Sequence, residues 1–160
     1  MTFIIYPLWP LAINHFLKVI TKTPSLLFLT CPEEIKDIIM HMTTKLSAGF
    51  DNVSIEIIKL SIKYIVEPLS HLVNNSLTNG QVPDSWKIAT VCPIFKSGNN
   101  ADITNYRPIS VLLSFSKILE KLVYSRLLNY LSLHSILSDN QYGFWDNHNT
   151  SMAVLEWQIK

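Results

Sequence analysis

The stretch from Trp86 to Glu120 constrains the fold most. Ile88 to Phe95 is a short, apolar, β-branched run that ends at Lys96, and it predicts a strand. Lys96-Ser97-Gly98-Asn99-Asn100 closes it in a turn, and a polar loop continues to Tyr106. Arg107 stands directly ahead of Pro108. The residue before a proline avoids the helical region, so Pro108 to Leu113 is expected to be extended. Leu119, Leu122, Val123, Leu127, Tyr130 and Leu131 then recur with a 3.6-residue period, which predicts a helix over about 116–133.

Upstream, Thr30-Cys31-Pro32-Glu33 reads as a capping box with Thr30 as N-cap. Pro32 is tolerated in a first turn because its missing N–H would have no helical partner. Ile35, Ile38, Ile39, Met42 and Leu46 share one face of a helix over about 32–46. Ser47 to Asn52 is a turn, with Gly49, Asp51 and Asn52 supplying turn chemistry. Ser54 can cap a second helix with Ile55, Ile58, Ile62 and Ile65 inside, and Pro68 is expected to break or restart it. Leu69, Leu72, Val73 and Leu77 continue the stripe to Gly80, where a C-terminal glycine belongs. A loop follows His134, and Thr150 can cap a last helix. The fold class is α+β, mostly helical with a small β-sheet.

A chain of 160 residues can bury one core. Its charged fraction is 16%, below the roughly 25% of ordinary domains, so some apolar surface is expected to meet a partner. The net charge of +1 gives no bulk-charge case for nucleic-acid binding. Any such role rests on position. Cys31 and Cys92 form no CxxC, and the histidines show no zinc spacing. Thr2 to Leu17 is apolar but interrupted by Pro7 and Pro10, and it is shorter than the ~20 residues of a membrane helix. No basic residue precedes Lys18, as a signal peptide would want. It reads as an irregular apolar leader, with membrane association the weaker alternative.

Lys96 and Arg107 are the leading candidates for chemistry. Gripping a triphosphate takes fixed cations, a mobile ammonium and a planar guanidinium among them. The plain alternative is that both are solvated surface. Asp51 is either a helix-start carboxylate favoured by the dipole or a functional residue. Gln141-Tyr142-Gly143-Phe144 sets a glycine between aromatics, either a tight turn in a core or a surface on which a base stacks. The acidic residues include no Asp-Asp pair, and Glu33-Glu34 sits at a helix start. Two-metal nucleotidyl transfer needs carboxylates that converge on both ions.

Several words of the chain resemble, in order, LINE-type (non-LTR) retrotransposon reverse transcriptases. Ser47 to Asn52 is similar to that family's Ser-Pro-Gly-Pro-Asp-Gly turn, with both prolines and the last glycine changed. Asn74 to Lys87 resembles Asn-x-Ser-Leu-x-x-Gly-x-x-Pro-x-x-Trp-Lys. Pro93 to Gly98 matches Pro-Ile-x-Lys-x-Gly, and Asn105 to Ser110 matches Asn-Tyr-Arg-Pro-Ile-Ser. Lys117 to Glu120 and Arg126-Leu127 fit the helix after it. Gln141-Tyr142-Gly143-Phe144-Trp145 resembles Gln-Phe-Gly-Phe-Arg, with a tryptophan where the family has arginine.

The resemblance covers about residues 30–160 and implies a reverse-transcriptase fingers fragment with an incomplete palm. Residues 1–30 are then a leader of unknown role, and 31–160 a partial reverse transcriptase domain. It implies that Lys96 and Arg107 contact the incoming nucleotide, and that Gln141, Gly143, Phe144 and Asp51 lie near the template. The partners implied are an RNA/DNA template-primer, deoxynucleotide triphosphates, and either the missing palm region or a second copy, with no membrane. The family's catalytic aspartates have no counterpart in these 160 residues. Mg2+ is therefore expected only for the complete polymerase, with no cofactor and no metal site in this chain alone, which is expected to be inactive. An intracellular location, cytoplasm or nucleus, follows from the same resemblance. The alternative is a non-enzymatic nucleic-acid- or partner-binding remnant of a retroelement.

Overall fold

The computed structural model describes residues 3–5, 28–44, 47–137 and 149–159. The chain divides into two compact units, Met1–Ser125 and Arg126–Lys160. The expected division near residue 30 is one of sequence resemblance, not of contacts.

In the first unit, α1 (Pro32–His41) lies against α2 (Ile55–Asn79). α1 buries Ile35 and Ile39. It starts differently from the expected capping box: Cys31 is the N-cap and makes no side-chain cap bond. Thr30 is one residue further out. Its hydroxyl donates to Glu34 Oε2 at 2.6 Å. The Asn74 carboxamide reads both backbone groups of Thr30, accepting from its N–H at 2.7 Å and donating to its carbonyl at 2.9 Å. α1 also ends earlier than expected, at His41. Met42 is already extended, and Lys59 Nζ of α2 donates to the carbonyls of Met40 and Met42 at 3.1 and 2.6 Å. A lysine supplied by a neighbouring helix thus ties off the last carbonyls. Leu46, expected on the inner face, lies outside the described residues.

α2 begins as expected, with Ser54 accepting from the Ile57 N–H, and ends at Gly80 in the left-handed region at φ 63°. Pro68 does not break it. The N–H missing at Pro68 would have bonded to the Tyr64 carbonyl, four residues back. Tyr64 is 77% exposed, so the lost bond falls on the outer side of the helix, while Ile58 before the proline and Leu69, Val73 and Leu77 after it hold both halves in the core.

A 3-10 turn, Asp84–Lys87, leads into the sheet and buries Trp86. The indole stacks on Phe115 with centroids 6.1 Å apart. β2 (Ala89–Phe95) pairs antiparallel with β3 (Tyr106–Leu112). β1 (Phe3–Ile5) adds on the other side of β2, giving the order β1-β2-β3. The described part of the apolar leader is therefore strand, as three apolar, β-favouring residues permit. β3 begins two residues ahead of the expected Pro108.

α3 (Ser114–Leu133) starts two residues earlier than expected. Its first turn is tied to the rest of the unit: Ser114 Oγ donates to the Val53 carbonyl at 2.7 Å, and Ser116 Oγ to the Trp86 carbonyl at 2.5 Å. Gly49 lets the 47–52 turn reach this point, because a Cβ there would stand 2.8 Å from Leu113 Cδ2. Ile118, Leu119, Leu122 and Val123 complete the core with α1 and α2.

The second unit holds the end of α3 and α4 (Thr150–Ile159). Tyr130 packs on His134 at 4.3 Å. On α4, Met152, Val154 and Leu155 are all exposed. No described helix is long and apolar enough to cross a membrane. Cys31 and Cys92 are free thiols.

Candidate nucleotide-binding hairpin

Pro93 lies opposite Pro108. Neither can donate a ladder bond, so this is a non-hydrogen-bonded pair, and the alternation of an antiparallel ladder fixes the rest. Ile94 and Arg107 form a hydrogen-bonded pair, and Phe95 and Tyr106 a non-hydrogen-bonded one. The ring centroids of Phe95 and Tyr106, 5.4 Å apart, fit that closer spacing. The next bonded position is confirmed by the Lys96 N–H, which donates to the Asn105 carbonyl at 2.8 Å.

This register decides where the cations go. Side chains alternate along a strand, so Arg107 shares a face with Ile94, its direct partner, and with Lys96 two residues on. Lys96 and Arg107 are diagonal neighbours, a relation that spans about 7–8 Å. Both are exposed. Neither has an ion-pair partner among the described residues.

The loop that joins the strands is stitched internally. Gly98 takes φ 98°, and a Cβ on it would stand 2.8 Å from Asn105 Nδ2. Asn105 Nδ2 donates to the Asn99 carbonyl at 3.0 Å, and the Tyr106 hydroxyl to the Asn100 carbonyl at 3.0 Å. Asp102 Oδ1 accepts from the Thr104 hydroxyl at 2.7 Å and from the Thr104 N–H at 2.9 Å. Those bonds, the hydroxyl's first, hold the Asp102 carboxyl below its ordinary value. Asn105 and Tyr106 thus order the loop that carries Lys96. Their signal was the Asn105-to-Ser110 word, of which only the arginine had been assigned a role.

Asp51 is half-buried, and its Oδ1 accepts from the Val53 N–H at 3.1 Å. It forms a turn three residues ahead of the Ser54 cap rather than the cap itself. Asn52, where the resembled turn has glycine, takes the left-handed conformation at φ 58°, which asparagine tolerates. Gln141, Gly143 and Phe144 lie outside the described residues. No group of three metal-binding side chains exists among the described residues. Glu34 is already bonded to Thr30, so the Glu33-Glu34 pair does not offer a free two-carboxylate donor set.

The chain is similar in sequence to several known proteins. No family model matches the chain. It is 35% identical over 123 residues to a probable RNA-directed DNA polymerase from transposon BS of Drosophila melanogaster, across 76% of this chain and 14% of that protein. It is 33% identical over 119 residues to the RNA-directed DNA polymerase from mobile element jockey of the same species, across 74% of this chain and 13% of that protein. The jockey polymerase of Drosophila funebris is 29% identical over 119 residues. These relatives are RNA-directed DNA polymerases of mobile elements; the chain is similar to them over about three quarters of its own length and spans 13–14% of theirs.

Proposed function

We propose that the chain is part of the fingers of a retrotransposon reverse transcriptase and contributes nucleotide-binding cations without carrying the catalytic carboxylates. Lys96 and Arg107 would grip the triphosphate of a deoxynucleotide, with Asp51, Gln141, Gly143 and Phe144 beside the template strand. The observation that carries this reading is the diagonal placement of two exposed, un-neutralised cations on one face of an internally bonded hairpin. An ammonium and a guanidinium at that separation can engage different oxygens of one phosphate chain. Among the described residues no carboxylates converge to fit the two metal ions of nucleotidyl transfer, which supports a chain that by itself binds and does not polymerise.

A second reading, partner binding, is favoured by an outward apolar stripe on α2. Ile57, Leu60 and Tyr64 are 51%, 81% and 77% exposed at helical spacing. The remainder of the polymerase or a second copy would cover it. One experiment separates the readings. Fluorescence anisotropy of a labelled deoxynucleotide triphosphate is measured against the chain and against Lys96→Ala plus Arg107→Ala. Weak, salt-sensitive binding lost in the double variant supports the first reading. Unchanged affinity removes these residues from the site. Absence of binding together with concentration-dependent self-association favours the second.

A further inference from the structure

A cleft of about 500 Å³ runs along the C-terminal end of α2, within the range of ligand sites. One wall is a single face of that helix, with Leu72, Asn75 and Asn79 at the i, i+3, i+7 spacing of one stripe. The segment after Gly80 forms the other wall, with Gln81 and Pro83. We propose that this cleft binds a short, extended, uncharged segment of a partner protein and reads its backbone through carboxamides.

The charge in the cleft is internally balanced. Among the described residues that line it, the one ammonium and the one carboxylate, Lys87 and Asp84, pair with each other at 2.6 Å. What is left to meet a ligand is neutral: the carboxamides of Asn75, Asn79 and Gln81. Asn79 Nδ2 donates to Asn75 Oδ1 at 2.5 Å, which orients both amides. Asn75 Nδ2 is then left to donate and Asn79 Oδ1 to accept. Neither atom, nor the Gln81 carboxamide, has a partner among the described residues.

A neighbouring donor and acceptor suit a peptide backbone, because each residue of it offers one N–H and one carbonyl. α2 already makes this contact one residue away. The Asn74 carboxamide accepts from the Thr30 N–H at 2.7 Å and donates to the Thr30 carbonyl at 2.9 Å. There the backbone being read belongs to this chain. Asn75 is about 100° further round the helix, and there the same kind of side chain faces a cleft.

The dimensions set the ligand's conformation. Leu72 and Asn79 are seven residues apart, about 10 Å at the helical rise. An extended strand covers that length in about three residues. A helical segment would not serve, since its N–H and carbonyl groups already bond to each other. Leu72 is 45% exposed and Pro83 half-buried, so one aliphatic side chain of the segment has apolar surface to cover.

The test is a titration of the full chain, followed by ¹H–¹⁵N spectra, with the capped peptide acetyl-Thr-Leu-Thr-amide and with the same peptide N-methylated along its backbone. The side-chain amides of Asn75 and Asn79 and the backbone amide of Gln81 are expected to shift with the first peptide and not with the second. The response should be the same at low and high salt, because no net charge is engaged. Asn79→Ala should weaken the Gln81 response about fivefold, the scale of one neutral hydrogen bond, and Asn75→Ala plus Asn79→Ala should abolish it. Both residues are exposed, so these variants should keep the wild-type spectrum elsewhere. Lys96→Ala plus Arg107→Ala should leave the Gln81 response intact. No shift with the unmethylated peptide, or an equal shift with the N-methylated one, overturns the proposal. A response that survives both asparagine variants, or that a deoxynucleotide triphosphate produces at lower concentration than the peptide, overturns it as well. So does a shift of the same signals with chain concentration alone, which would make the occupant a second copy.

Discussion

Ile118, Leu119 and Leu122 on α3 are 0–1% exposed, whereas Ile94, Phe95 and Ile109 on the hairpin are 50%, 41% and 44% exposed. The same kinds of apolar residue occupy both regions. On α3 they join the buried core to which α1 and α2 also contribute. On the hairpin only the proximal half of β2 is covered, at Ala89 and Val91, and the distal half stands in solvent. What orders the distal half is instead local: the ladder, the Phe95–Tyr106 ring contact and the side-chain bonds of Asn105, Tyr106 and Asp102. One region is held by burial and the other by hydrogen bonds within a short stretch of chain. A hairpin ordered the second way can open locally without unfolding the core.

The largest expected effect tests the burial side. Leu122 is fully buried on α3. Leu122→Ala removes its transfer energy and leaves a cavity, a loss of roughly 2–5 kcal/mol. Urea unfolding should show a lower midpoint with the same slope. A loss under about 1 kcal/mol would mean that the helical core is not what holds the first unit together, and the contrast with the hairpin would collapse.

A smaller and local effect is expected at Gly98. Its φ of 98° and the 2.8 Å approach of Asn105 Nδ2 leave no place for a methyl group. Strain of this kind amounts to about 1–3 kcal/mol. Because the loop is exposed, it can relax without the core. Gly98→Ala should therefore speed exchange of the Lys96 amide by roughly 5- to 150-fold, the same range expressed as an equilibrium, with little change in the unfolding midpoint. A large global loss with unchanged Lys96 exchange would show that the arm and the core unfold as one.

This division also explains how much was legible in the sequence. The helices of the first unit were readable because burial writes a period: Ile35 and Ile39, Ile58, Leu69 and Val73, Ile118 and Leu122 recur at helical spacing. Their ends were not. α1 stops at His41 because Lys59, eighteen residues away, takes its last carbonyls, and no local rule contains that bond. Propensity assigns Pro68 the role of breaker, whereas the core on both sides outweighs one lost bond. At the hairpin, Lys96 and Arg107 stood out as cations flanking a turn, but their sharing a face depends on register. The register depends on Pro93 meeting Pro108, a pairing visible only once the strands are aligned.

The smallest expected effect concerns Asp102, and it probes the hydrogen-bonded side alone. Its carboxyl is fully exposed and held below its ordinary value of 3.8 by the Thr104 hydroxyl and then the Thr104 N–H. A folded-state value below the unfolded one means that the carboxylate favours the ordered loop above about pH 3.8, and that this contribution is lost as pH falls through the lowered value. Exchange of the Thr104 amide, corrected for its intrinsic pH dependence, should therefore accelerate on the acid side of that point. Asp102→Asn still offers an oxygen to Thr104 but no longer titrates, so its corrected exchange should be flat across the same window. The core has no share in this bond, and the unfolding midpoint should not move with it. If acid shifts the midpoint in the wild type and Asp102→Asn removes that shift, then the loop's bonds extend into the stability of the whole unit, and the separation of a buried core from a self-ordered arm is too sharp.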